Sequence, residues 1–349
     1  MSGDFSIIAG EYLRDILDQP RALDDTLAGL NPTKELRQLA VRLQKGRFKA
    51  VVLTGMGSSF HALHPLHLDL IQAGFSAVMV ETSELLYYQN RLFDSANLII
   101  AVSQSGQSAE VIRLLRSNRG RSAIISITNT AHSPLAKSAD ACVLTQAGKE
   151  FSVSCKTYVA SLVALCWLSD VICERNLRRK SREMESAMPW VKEYLANWKQ
   201  HLQVLAERLG DIQQLFLVGR GSSLAAVGTG ALIIKEADHF PAEGMSSAAF
   251  RHGPFEMIGN ESSVLVFAGD RKTRDMNRGL FLDIRGHQGK AEWIAEDSEF
   301  SPFLLPDSPR ALTPILEILP VEMITLALAA QAGREPGRFS LCSKVTTKE

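Results

Sequence analysis

The segment Phe48-Lys49-Ala50-Val51-Val52-Leu53-Thr54 is a short, nearly continuous apolar run that stops at Gly55. A strand buried on both faces of a parallel sheet reads this way, because neither face is left for polar residues. The same shape recurs at 77–81, 97–103, 122–128 and 141–144, resumes at 214–218 and 263–268, and is weaker at 291–294. Helical stretches separate the runs, so the expected fold is α/β, built on doubly wound parallel sheets. Tyr12 to Leu30 carries apolar residues at helical spacing and predicts an entry helix. From Ser161 to Leu205 the pattern is long and amphipathic around the charged segment Glu174–Glu185, which predicts a helical bridge.

The two halves superpose. Thr54-Gly55-Met56-Gly57-Ser58-Ser59 matches Val218-Gly219-Arg220-Gly221-Ser222-Ser223, and the offset from Gly55 to Gly219 is 164 residues. A repeat of that length is a duplicated domain rather than a solenoid unit. The expected division is a helical segment at 1–47, a first domain at 48–170, a helical linker at 171–205, a second domain at 206–335 and a tail at 336–349. The copies differ where Ser103-Gln104-Ser105-Gly106-Gln107-Ser108 falls opposite Phe267-Ala268-Gly269-Asp270-Arg271-Lys272. One half keeps a run of hydroxyls and amides that the other lacks.

In an open parallel sheet ligands sit beyond the carboxyl ends of the strands, where helix N-termini offer unpaired N–H groups and partial positive charge. Ser103–Ser108 lies between such a strand and the helix expected from Ala109. Its small side chains add donors without blocking approach, and Gly106 permits a tight turn. Gly57-Ser58-Ser59 occupies the equivalent place after the first strand. Serines and glycines here also serve as ordinary turn formers and N-caps. Two such turns in one sheet, with the second copy lost, favour a phosphate cradle. No GxxxxGK[ST] is present, and Gly55-Met56-Gly57-Ser58-Ser59-Phe60 lacks the third glycine of a dinucleotide fingerprint, so a small ligand with one phosphate is expected.

Glu236 follows Lys235 on an otherwise apolar helix, and His252 stands before Gly253-Pro254, which fixes a turn. Alone, the first reads as a surface acid and the second as a helix cap; together they suit proton transfers beside a carbonyl. The hydroxyl-rich tail, 339–349 with Lys344, is short and partly apolar and is expected to fold back over a site. His61, His64 and His67 lie at spacings of three, but Pro65 interrupts them and no carboxylate or thiol set converges, so they read as packing or solvent-facing residues, or at most as a specificity element near the ligand; no metal and no cofactor are expected.

Lys+Arg and Asp+Glu are equal at 38 each, which argues against nucleic acid or an anionic membrane as partner. The N-terminus lacks the layout of a signal peptide, and no apolar run reads as a bilayer span. Five cysteines without a CxxC pair fit reduced thiols, and a cytoplasmic location is expected.

As an ordered set from Phe48 to Glu349, the Gly-Ser-Ser turn, the SQSG turn at Ser103–Gly106, Lys235-Glu236, Arg251-His252-Gly253-Pro254 and Ser343-Lys344-Val345-Thr346 resemble the SIS (sugar isomerase) superfamily in its tandem form. The architecture is that of the isomerase half of glucosamine-6-phosphate synthase, two SIS-type, flavodoxin-like domains. The resemblance implies that Ser59, Ser103, Gln104, Ser105 and Ser108 bind the phosphate, with Gly57 and Ser58 nearby. It implies that Glu236 moves a proton between C1 and C2. It also implies that His252 assists ring opening from a neighbouring subunit of a homodimer, and that Lys344 meets the open-chain carbonyl; an imine there needs a neutral amine. Three departures matter: no N-terminal glutaminase domain, Ile233 at the place of the synthase's second lysine, and a segment 152–157 about one residue short. That last difference leaves Ser154 and Cys155 both eligible to contact the sugar.

The expected activity is therefore that of an amino-sugar phosphate deaminase/isomerase, converting glucosamine 6-phosphate to fructose 6-phosphate and ammonia. A fructosamine-6-phosphate deglycase and a plain aldose–ketose isomerase share the same residues. A non-catalytic sugar-phosphate sensor would need no Glu236, His252 and Lys344 together.

Overall fold

The structure, a computed structural model, describes residues 5–309, 311–341 and 343–346. Met1–Asp4, and Cys342 and Thr347–Glu349 of the expected tail, lie outside the described residues. Two parallel sheets organise two α/β units.

The five-stranded unit comprises Arg21–Glu150, Lys156–Arg182 and Ser340–Glu349. Its strands are β1 (Ala50–Gly55), β2 (Ala77–Glu81), β3 (Asn97–Val102), β4 (Ala123–Thr128) and β5 (Ala141–Leu144), in the order β2-β1-β3-β4-β5. All six residues of β3 are buried, as its uninterrupted Leu-Ile-Ile-Ala-Val run requires of a strand flanked on both edges. Val52, Ile99 and Ile124 pack on one face against Val111 and Leu114 of the helix Ala109–Asn118 and against Leu135. The strand order reverses between β1 and β3, so the turns that follow these two strands flank the switch point where ligands bind in such sheets.

The four-stranded unit comprises Met1–Pro20, Phe151–Cys155 and Glu183–Phe339. Its strands are β6 (Gln214–Gly219), β7 (Ala242–Ser246), β8 (Ser262–Phe267) and β9 (Lys290–Ile294), ordered β7-β6-β8-β9. This repeats the order of the other sheet without a fifth strand. Phe216, Val218, Val264 and Val266 form one core with Phe250, Leu280 and Ile284. The helix Leu224–Asp238 packs against β6, β7 and the helix Thr313–Gln331. A Cβ at Gly230 would lie 2.7 Å from Leu217 Cδ2 and 3.0 Å from Val321 Cγ1, so this contact depends on a residue without a side chain.

Several expectations change. The entry helix is two helices, Glu11–Leu17 and Gln19–Gly29, because Pro20 can begin a helix but not continue one. The stretch 161–205 is not one amphipathic bridge but parts of three helices, Lys156–Ile172, Leu177–Ala196 and Trp198–Leu209. Glu174 at φ 53° breaks the first from the second. The first is buried on nearly every side, which removes the amphipathic stripe. By length and composition, Thr313–Gln331 could cross a membrane, contrary to the expectation of no such run. Yet 89% of its apolar window is buried within the protein, as in a core helix.

Candidate active site

Ser103–Ser108 follows β3 and leads into the helix Ala109–Asn118. Ser103 Oγ accepts the Gly106 N–H at 3.2 Å, and Ser105 Oγ accepts that of Gln107 at 3.4 Å. Ser108 is the N-cap and accepts the Val111 N–H at 3.5 Å. These bonds use one lone pair of each hydroxyl and leave each O–H free to rotate toward an anion. The turn is held from outside: the Gln104 carbonyl accepts from Asn129 N–H (3.1 Å) and Thr128 Oγ1 (3.1 Å), and the Gly106 carbonyl from Leu135 N–H (3.1 Å). Gly106 has φ 62°, and a Cβ there would strike Ser133 Oγ. The turn thus combines a left-handed residue with a close approach, both of which require glycine.

Ser58 and Ser59 open the four-residue helix Ser58–His61 after β1, with Gly57 as its N-cap at φ 53°. In the same unit the C-terminal tail comes back to this end of the sheet. The Thr346 carbonyl accepts the Ala109 N–H at 3.0 Å, at the first residue of the helix after the serine turn. Lys344 Nζ lies 2.9 Å from Glu150 Oε2. Glu150 is buried, and its carboxylate also accepts the Thr157 N–H at 2.9 Å and the Thr157 hydroxyl at 2.7 Å. One carboxylate therefore ties the tail lysine to the start of the helix Lys156–Ile172. Sequence reading missed Glu150: it belongs to no local motif, and its lysine is 194 residues away.

The remaining expected residues lie in the four-stranded unit. Glu236 is half-buried near the end of Leu224–Asp238, and Ile233 is fully buried. His252 is the exposed C-cap of the short helix Ser247–Arg251, with its N–H on the Ala249 carbonyl at 2.9 Å, and Gly253 follows at φ 132°. Cys155 is fully buried, whereas Ser154 keeps part of its surface exposed.

Among the histidines, His67 Nε2 is 3.2 Å from the Ala77 carbonyl. His61 and His64 stack with ring centroids 6.4 Å apart. Burial, reinforced by His61 and His67, pushes the His64 imidazole down to about 4, so it is neutral at physiological pH.

Residues 47–168 match the family model of the SIS domain. All but Phe151–Cys155 of that match falls in the five-stranded unit. The chain is 29% identical over 357 residues to the isomerizing glutamine–fructose-6-phosphate aminotransferase of Pyrococcus horikoshii, a match covering 97% of this chain and 57% of that protein. With the Shewanella oneidensis protein of the same name it shares 26% over 364 residues, covering 97% and 60%. The chain thus spans less than two thirds of these relatives. Among solved structures, a provisionally assigned phosphosugar isomerase of Silicibacter pomeroyi superposes with a TM-score of 0.77 at 26% identity, over 93% of this chain and 99% of that one. The glucosamine-6-phosphate deaminase of Thermotoga maritima shares the fold, with a TM-score of 0.78 at 17% identity over 97% and 100% of the two chains. The chain is homologous to the isomerase half of glucosamine-6-phosphate synthase and to phosphosugar isomerases.

Proposed function

We propose that this protein is an amino-sugar phosphate deaminase/isomerase that converts glucosamine 6-phosphate to fructose 6-phosphate and ammonia. The observation that carries the reading is the serine turn at the β1/β3 switch point, together with a tail that places Thr346 on the following helix and Lys344 on buried Glu150. The hydroxyls of Ser59, Ser103, Ser105 and Ser108, with Gln104, hold the phosphate, and the helix N-terminus beside them favours its charge. Ser154 rather than Cys155 contacts the sugar, since the thiol is fully buried.

The chemistry follows from the open-chain sugar. His252, supplied by a second copy of the chain, assists ring opening. Glu236 takes the proton from C2 and returns it to C1, which turns the C1 aldehyde and C2 amine into a C2 imine. Water adds to that imine and ammonia leaves, giving the ketose phosphate. Lys344, held by Glu150, meets the carbonyl of the opened sugar and donates a hydrogen bond to its oxygen, which favours loss of the C2 proton.

The test is to incubate the purified protein with glucosamine 6-phosphate and measure ammonia and fructose 6-phosphate together. Glu236→Gln is expected to lower turnover by roughly a hundred- to ten-thousandfold while sugar-phosphate binding persists. Full turnover in that variant overturns the mechanism. Release of an amino acid or amine from a fructosamine 6-phosphate, without deamination, identifies a deglycase instead.

A further inference from the structure

The four-stranded unit contains a cavity of about 410 Å³ at the carboxyl ends of β8 and β9. Its wall includes Asp270, Arg271 and Lys272 from the turn after β8, Glu296 after β9, and Glu317 from the helix Thr313–Gln331. The turn after β8 is the counterpart of the serine turn after β3. It has lost the hydroxyls, yet it has not closed the space.

Glu317 is the informative residue. It is 1% exposed and lines the cavity. One carboxyl oxygen accepts the Ser223 hydroxyl at 2.7 Å; the other, Oε2, has no hydrogen-bond partner among the described residues. Leaving such a group unsatisfied costs about 1–3 kcal/mol, so a partner supplied from outside is favourable. Burial, partly offset by the Ser223 hydroxyl and reinforced by the Asp270 carboxylate, pushes the Glu317 carboxyl up to about 8. Asp270 and Glu317 therefore face the same space; Asp270 repels an incoming anion and attracts an ammonium, and an ammonium beside Glu317 favours loss of its carboxyl proton, so that the buried acid becomes its counter-ion.

The mouth has the opposite character. Arg271 and Lys272 are exposed, and neither makes an ion pair among the described residues. Arg274 is already committed to Glu296 and Asp297, at 2.8 Å each. Charge thus runs from acidic at the buried wall to basic at the rim.

We propose that this cavity is a second ligand site, taking a small molecule that presents an ammonium group to Glu317 and Asp270 and an anionic group to Arg271 and Lys272. An amino-sugar phosphate has this chemistry, and choosing that class rests on the function proposed above; the ammonium requirement rests on Glu317 and Asp270 alone. Such a site binds the amine-bearing sugar phosphate and rejects its hydroxyl analogue, which the serine turn does not do.

The experiment is calorimetric titration of the full chain carrying Glu236→Gln, which binds without turnover, with glucosamine 6-phosphate and, separately, glucose 6-phosphate, alongside the ammonia assay on wild type. Two equivalents of the first and one of the second are expected per chain. Glu317→Gln keeps an acceptor for Ser223 and should weaken the second equivalent at least ~10-fold, a loss of 1.4 kcal/mol. The surface double variant Arg271→Ala/Lys272→Ala should weaken it likewise, and provides the check if Glu317→Gln folds poorly. Ser103→Ala/Ser105→Ala should weaken the other equivalent and spare this one. Equal stoichiometry for the two sugars, or a second equivalent indifferent to both cavity variants, overturns the proposal. Ammonia release with a single equivalent leaves the reaction standing and removes this site; two amine-dependent equivalents without ammonia do the reverse.

Discussion

Glu317 makes a quantitative prediction about stability that is independent of any ligand. An acid in water has a value near 4.5, whereas burial holds this one up to about 8 in the folded chain. Between those values the native state keeps a proton that the unfolded state has released, so stability falls as pH rises. The loss is absent below pH 4.5. It reaches about 3 kcal/mol at pH 7 and about 5 kcal/mol above pH 8, taking 1.36 kcal/mol per pH unit. The direction is opposite to that of a salt-bridged carboxylate, whose stabilisation is lost on acidification. Glu317→Gln removes the titration, keeps the acceptor for the Ser223 hydroxyl, and puts an amide N–H₂ where the carboxyl proton was. Urea unfolding of both proteins from pH 5 to 9 is the assay. Three of the four tryptophans, Trp190, Trp198 and Trp293, belong to the four-stranded unit and make its fluorescence the reporter. The variant should match wild type near pH 5 and exceed it increasingly toward pH 8, then level off. A difference that does not change with pH would refute a protonated, buried Glu317.

Two further predictions concern the five-stranded unit. Gly106→Ala forces a side chain into a left-handed conformation and against Ser133; isothermal titration should show sugar-phosphate affinity reduced more than ~10-fold, with stability lower by about 1–2 kcal/mol from the backbone alone. Glu150→Gln removes the charge that holds Lys344 Nζ at 2.9 Å, a bond worth about 1.5–3 kcal/mol. If Glu150 positions the lysine, steady-state kinetics should show kcat lower by about 10–100-fold with KM little changed. An unaltered kcat sinks that role.

Much of the fold was legible because buried parallel strands announce themselves. The runs at 77–81 and 141–144 have the bounds of β2 and β5, and β3, with no polar break after Asn97, is found almost to the residue. β7 was missed for a physical reason. It is an edge strand paired only with β6, of sequence Ala-Glu-Gly-Met-Ser, and only Ala242 is buried. Nothing in its local sequence demands an extended conformation; pairing with β6 supplies it.

The same distinction governs the sites. The serine turn could be read directly because a single segment supplies its hydroxyls, its glycine and its helix N-terminus. Glu150 could not, since its meaning comes from Lys344 and Thr157, which the fold brings to it. Glu317 was hidden more thoroughly: one of two acids, with Glu322, within a 19-residue apolar helix, it reads as an interruption and not as a wall of a cavity. Alignment of the two halves matches the turn after β6 to that after β1 and sets the turn after β8 against that after β3, where the second copy is degenerate. The cavity also draws on Glu296 after β9 and on Glu317 of the last helix, which no offset between the turns includes. Loss of a motif from one segment therefore removes one element's contribution and its chemistry, while the space beyond the carboxyl ends of β8 and β9 remains for other side chains to line.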